Sequence, residues 1–220
     1  MSGAGNSYEA VIFDMDGVLA DTEPAFFEAV NVLLAEEGRS IEFERYKTLL
    51  GTSVGVTWRS LIEILDLPGD PDDYLRRYDG VLIDCLRRPR TPLPGVVDLL
   101  EALDRRRVPA GLATSSWQTW MNAVLESAGI AGRFQALAWR QLVEHGKPAP
   151  DLYLKAAALL HVAPERCIAV EDTPTGIAAA KAAGMYAVQS RASSTAFPPI
   201  DGADLVLDTL ETFPLALLSL

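Results

Sequence analysis

The sequence predicts an α/β fold, a parallel sheet with helices on both faces, into which one block of helices is inserted. Three observations predict it. First, short β-rich apolar runs at residues 8–13, 109–113, 167–170, 185–189 and 204–207 alternate with helix-periodic segments. Second, residues 22–89 contain no strand-like run and show helical periodicity only, at 25–37, 54–65 and 72–88. Third, polar clusters follow directly after the apolar runs, where open parallel sheets place their ligands.

The second observation divides the chain. A strandless crossover of that length far exceeds the usual connection. Pro24 marks its front edge and the linker "RPRTPLPG" (88–95) its back edge. The expected organisation is therefore a core of residues 1–21 and 90–220 and an inserted helical unit of residues 22–89. A chain of 220 residues, 49% of them hydrophobic, can support such a core with a smaller unit set into it.

Composition narrows the class of function. The formal net charge of -11 argues against a nucleic-acid partner, because phosphate neutralisation dominates that binding. It leaves room for a small phosphorylated molecule held at a local positive centre. No apolar run approaches the roughly 20 residues that span a bilayer, so no membrane partner is expected. The opening MSGAGNSY lacks the pattern of a secretory signal. The two cysteines, Cys85 and Cys167, form no CxxC pair. A cytoplasmic location fits.

The first strand ends in "FDMDGVLADTEP" (13–24). In extended backbone, residues two apart point the same way, so Asp14 and Asp16 could share one site at the strand end. Mg²⁺ takes such oxygen ligands. A polar turn is the plainer alternative, and Gly17 would permit it. A calcium EF-hand fails, because Val18, Leu19 and Ala25 stand where that loop needs Asp or Asn, Gly and Glu.

Three further segments follow in order. "AGLATSSWQTW" (110–120) ends a strand in Thr114, Ser115 and Ser116 before a helix. Such hydroxyls make either an anion site or an ordinary helix cap. "EHGKPAPDLY" (144–153) mounts Lys147 between Gly146 and two prolines, with Pro150 at the first turn of the next helix. "CIAVEDTPTGIAAAKAAGM" (167–185) ends a strand in Glu171 and Asp172. Thr173 caps the helix after it, Pro174 opens it, and Gly184 stops it. The two acids either exploit the helix dipole or ligate a metal.

Taken in order, these four segments resemble the motifs of the haloacid dehalogenase superfamily. The wording of "FDMDGVLADTEP", "GKPAPD" and "EDTPTGIAAAKAAGM" is similar to the branch that contains β-phosphoglucomutase and many sugar-phosphate phosphatases. The resemblance covers the whole chain. It implies a Rossmann-like core with a helical cap domain inserted after the first motif.

It also implies roles. Asp14 would be the nucleophile that becomes an aspartyl-phosphate. Asp16 would protonate the leaving alcohol, then activate water, and its backbone carbonyl would bind the metal. Thr114, with Ser115 and nearby amides, would hold the phosphoryl oxygens. Lys147 would neutralise charge. Asp14, Asp16 and Asp172 would bind Mg²⁺, with Glu171 as ligand or support.

The acid at position 16 argues against dehalogenation, which has no leaving alcohol to protonate. Mutases of this branch carry a histidine four residues after the Thr of the D-T pair, where this chain has Phe26. Their cap also carries K-G-x-S-R, where residues 50–54 here read LGTSV. The expected activity is hydrolysis of a small phosphomonoester, with a sugar phosphate as one class. A phosphosugar mutase and a non-catalytic phosphate-binding scaffold are the alternatives. Thr52, Ser53, Trp58 and Arg59 are candidate substrate contacts in the cap, set against packing for Trp58 and solvation for Arg59. Monomer and homodimer both remain open.

Overall fold

The computed structural model describes residues 7–49 and 53–219. Its core is one six-stranded parallel sheet, built from β1 (Ala10–Phe13), β2 (Ala110–Ala113), β3 (Ala136–Ala138), β4 (Cys167–Glu171), β5 (Tyr186–Ser190) and β6 (Leu205–Leu207). The strand order is β3-β2-β1-β4-β5-β6. β1 is central, with Ile12 opposite Gly111 on one side and Ala169 on the other. The chain runs outward from β1 to β2 and β3, then crosses back to β4. That reversal between β1 and β4 is where doubly wound sheets open a ligand crevice at the strands' carboxyl ends.

Every residue of β1, β2 and β4 is buried, as expected of strands covered on both faces. One face is built of small side chains. Ala10, Ile12, Ala169 and Ala187 meet α7 (Asp151–Leu160) and α8 (Pro174–Ala182) through Leu152, Tyr153, Ala156, Ile177 and Ala180. Alanines on strand and helix let the two backbones approach closely. The alternate strand residues Val11, Phe13, Leu112, Ile168 and Val170 are buried toward the other face. The core also contains α5 (Val96–Arg106) and α6 (Gln118–Ser127), each with an apolar side buried.

Five strands lie where the sequence predicts them, within two residues at their ends. β3 was not expected. It has three residues, no β-branched side chain and a place at the sheet edge, so it forms only because β2 offers it partners. Pro150 also differs from expectation. It occupies the cap position before α7 rather than the first turn.

The chain divides into two compact units, Met1–Asp21 with Pro89–Leu220, and Thr22–Arg88. Pro89 thus falls with the larger unit, one residue away from the boundary drawn on the sequence. Within the smaller unit are α1 (Glu23–Glu36), α2 (Phe43–Tyr46), α3 (Val54–Leu65) and α4 (Pro71–Leu86). The four-residue α2 is too short to give a periodic signal. Asp70 caps α4 by accepting from Asp72 N at 2.8 Å.

The smaller unit has its own aromatic centre. Trp58 is fully buried on α3, stacked on Tyr74 at 4.9 Å and meeting Tyr78 edge-on at 5.6 Å. Such rings bury large apolar area and add a geometric preference. Trp58→Ala is therefore expected to cost about 3–5 kcal/mol. Chemical denaturation followed by circular dichroism would check the loss in helical signal from this unit.

Candidate active site

The functional side chains gather at the carboxyl ends of β1, β2 and β4. Asp14 is the first residue beyond β1, and its amide donates to Val170 O on β4 at 2.9 Å. This bond ties the β1 exit to the strand that delivers Glu171 and Asp172. Asp14, Glu171 and Asp172 are all buried. Each presents a carboxylate oxygen within 4.8 Å of the others.

Lys147 supplies the counter-charge. Its ammonium donates to Asp14 Oδ1 at 2.6 Å and to Glu171 Oε1 at 2.5 Å. The lysine side chain is only 6% exposed. Burial works against its charged form, but Asp14 and Glu171 outweigh burial, and its pKa is raised. Lys147 is thus a permanent cation on the loop that leads into α7.

Glu171 is saturated with donors. Oε1 accepts from Lys147 and from Tyr153 Oη at 3.0 Å. Oε2 accepts from Asp172 N at 3.0 Å, Thr173 N at 3.2 Å and Thr173 Oγ1 at 3.1 Å. Thr173 Oγ1 also accepts from Gly176 N at 3.1 Å, the cap predicted for α8. The helix start and the acid anchor are therefore one hydrogen-bonded unit.

Two glycines make room for these acids. Gly17 has φ +76, and a Cβ there would overlap the Asp172 carboxylate. A Cβ at Gly176 would overlap the Glu171 carboxylate. The tight turn expected at Gly17 is present, closed by Val18 N to Met15 O at 3.3 Å and Leu19 N to Met15 O at 2.9 Å.

Strand alternation is not what brings Asp16 to the site, although its charge bears on both Asp14 and Asp172. The strand ends at Phe13, and Asp16 forms an isolated bridge with Ala20 across the turn at residues 17–19. The three carboxylates that converge are Asp14, Glu171 and Asp172, contributed by two strands. The Asp16 carboxylate instead receives Ser116 Oγ at 2.8 Å. Ser116 N donates to Thr114 Oγ1 at 3.0 Å. Thr114 is fully buried, and its amide is fixed by Ala138 O on β3 at 2.9 Å. Ser115 is exposed between them. The hydroxyl run thus both holds Asp16 and orients Thr114.

The electrostatics ask for a further cation. Burial pushes the Asp14 carboxyl up to about 7, with Lys147 opposing and Glu171 and Asp16 adding to the rise. Asp172 is raised well above its ordinary value, first by burial and then by Glu171 and Asp14. One lysine does not balance three buried carboxylates. Asp172 Oδ1 is moreover buried without a hydrogen-bond partner among the described residues. An orphaned oxygen in an acid-rich pocket is the donor set that a hard divalent cation takes, so the Mg²⁺ expected from the sequence fits.

The candidate contacts of the inserted unit fare differently. Trp58 is a packing residue, sealed between Tyr74 and Tyr78, and cannot meet a substrate. Ser53 precedes α3 and is exposed, as is Arg59. Thr52 lies outside the described residues. Sequence reasoning missed Tyr153 and Ser116 as members of the site. The only available signal for Tyr153 was its place in the first turn of a helix that packs on the sheet. Ser116 stood in the hydroxyl run, but nothing marked it as the partner of Asp16.

Comparison with known proteins agrees with this geometry. Residues 8–184 match the family model for haloacid dehalogenase-like hydrolases. The chain is 35% identical to the fructose-1-phosphate phosphatase YqaB of Escherichia coli, over 84% of this chain and 97% of that one. It is 34% identical to the β-phosphoglucomutase of Bacillus subtilis, over 96% of this chain and 93% of that one. Among solved structures, CbbY from Rhodobacter sphaeroides in complex with phosphate superposes with a TM-score of 0.85 at 29% identity, covering 97% of this chain and all of that one, 100%. With the strand order, the buried acids and the bridging lysine in place, the chain belongs to the haloacid dehalogenase-like hydrolase family.

Proposed function

We propose that this hydrolase is a Mg²⁺-dependent phosphatase of a small phosphomonoester, a sugar phosphate being the leading class, acting through an aspartyl-phosphate on Asp14. The observation that carries this reading is Lys147 bridging Asp14 and Glu171 beside the orphaned Asp172 Oδ1. Phosphoryl transfer needs positioning and charge neutralisation above all, and these residues supply both. The sugar-phosphate class is supported by the names of the relatives at 35% and 34% identity.

Asp14 and Asp172 would hold the metal, with Glu171 next to them and the Asp16 carbonyl as a further oxygen. Bound Mg²⁺ supplies positive charge that keeps Asp14 ionised and offsets repulsion between a carboxylate and a phosphate dianion. Asp14 attacks phosphorus while the leaving alcohol departs with a proton from Asp16. The resulting aspartyl-phosphate is hydrolysed when water attacks phosphorus and gives its proton to Asp16. Inorganic phosphate and free Asp14 result. Lys147 and the Thr114 hydroxyl neutralise and orient the phosphoryl oxygens throughout. The inserted helical unit is read as the cap that selects the leaving group, with Ser53 and Arg59 as its exposed candidates.

A screen of phosphorylated metabolites with Mg²⁺, read as released phosphate, tests the reading. Asp14→Asn is expected to lose at least about a thousandfold in kcat while its thermal unfolding stays cooperative. Substantial turnover by that variant would sink the assignment of Asp14. Net isomerisation of a hexose 1-phosphate, dependent on a bisphosphate activator, would point to the mutase instead. EDTA is expected to abolish phosphate release from p-nitrophenyl phosphate, and excess Mg²⁺ to restore it. No metal-dependent release on any tested ester would favour a binding scaffold. Gly176→Ala, which drives a methyl into the Glu171 carboxylate, is expected to lower kcat by roughly tenfold or more. Steady-state kinetics beside a circular dichroism spectrum would separate that loss from unfolding.

A further inference from the structure

We propose that Tyr153 is a positioning residue for this reaction, fixing the Lys147 ammonium against Asp14 through Glu171 and through its own ring. The inference rests on the hydrolase reading above and adds a residue to it.

A lysine ammonium is a point charge on a flexible stem, and its place is set by what surrounds it. Lys147 has two acceptors at contact, Asp14 Oδ1 and Glu171 Oε1. Tyr153 acts on it twice. Its phenol donates to the same Oε1 that accepts from Lys147, at 3.0 Å. Its ring also faces the ammonium, with Nζ 5.0 Å from the centroid, a distance at which the ring quadrupole attracts a cation.

Packing does not account for the hydroxyl. Tyr153 is fully buried, and its neighbours in the cluster between sheet and helices include Ile12, Leu152, Ala156, Ile177 and Met185. A phenylalanine would fill that space without bringing a polar atom into an apolar layer, where an unpaired hydroxyl is costly. The hydroxyl is useful only toward Glu171. The other oxygen of Glu171 is already held by Asp172 N, Thr173 N and Thr173 Oγ1. Tyr153 therefore completes the set that stops the carboxylate from turning. Without its hydroxyl, Oε1 keeps Lys147 as its sole donor at contact among the described residues. The carboxylate then draws the ammonium toward itself and away from Asp14. Small misplacements of a group at the reacting atoms are paid in the transition state more than in ground-state binding.

Tyr153→Phe keeps the ring and removes the hydroxyl. With p-nitrophenyl phosphate and saturating Mg²⁺, kcat is expected to fall roughly ten- to a hundredfold. KM should stay within about twofold, and the variant should still unfold cooperatively. The ¹⁵N-detected ammonium signal of Lys147 should shift or broaden in the variant. A variant with wild-type kcat and an unchanged Lys147 signal would overturn the proposal. So would a lowered Tm accompanied by unchanged kcat per folded molecule, which is the signature of a packing role alone. If the wild type releases no phosphate, the hydrolase reading falls, and the Lys147 signal still decides whether Tyr153 places the ammonium.

Discussion

The bridge from Lys147 to Asp14 and Glu171 is the interaction on which the rest of the site depends. Three buried carboxylates at the ends of two adjacent strands repel one another and are each costly to desolvate. Among the described residues, the lysine is the cation at contact with two of them. Its removal would leave acids buried without compensation, a situation that typically costs about 3–5 kcal/mol. The bridge also links three chain segments far apart in sequence, the β1 exit, the loop before α7 and the β4 exit. The position of the charge is therefore a property of the whole sheet.

The surrounding structure can be understood as support for that bridge. The central place of β1 and β4 brings Asp14 beside Glu171 and Asp172, and the backbone bond from Asp14 N to Val170 O fixes their register. The start of α8 and Thr173 hold one oxygen of Glu171. Tyr153 holds the other from α7. Gly17 and Gly176 yield the space the carboxylates occupy. Each device is small, but the directions agree, as expected of a site set on rigid elements rather than on free loops.

The excess of negative charge remaining after the bridge forms is what connects fold to chemistry. A fully balanced cluster would be a structural ion-pair network with no call for a metal. Here Asp172 keeps an oxygen with no partner among the described residues, and Asp14 is raised toward neutrality by burial. A cation and a phosphoryl group would each relieve part of that imbalance. Ser116 ties a fourth acid to this cluster. Its hydroxyl donates to Asp16, whose charge adds to the rise of Asp14 and Asp172.

Four motif residues were legible because they stand where an apolar run ends, and strand ends are where chain direction and burial change together. Asp14, Thr114, Glu171 and Asp172 stand in such places, while Lys147 was marked by the glycine and prolines that flank it. The strandless stretch from Thr22 made a separate helical unit legible for the same reason, since periodicity is a local signal. What the sequence could not give is pairing across the sheet. β3 exists through its neighbour, and local composition does not mark it. Asp16 was legible as a neighbour of Asp14, but its contact with Ser116 was not, because that contact joins the turn at Gly17 to the segment after β2. Trp58 looked available because an aromatic residue beside an arginine has the same local appearance whether it faces solvent or a stacked Tyr74. Local chemistry determined which residues could act. Which carboxylate meets Lys147, which oxygen is left without a partner and which aromatic is sealed away were decided by contacts between distant segments, and those form only when the sheet assembles.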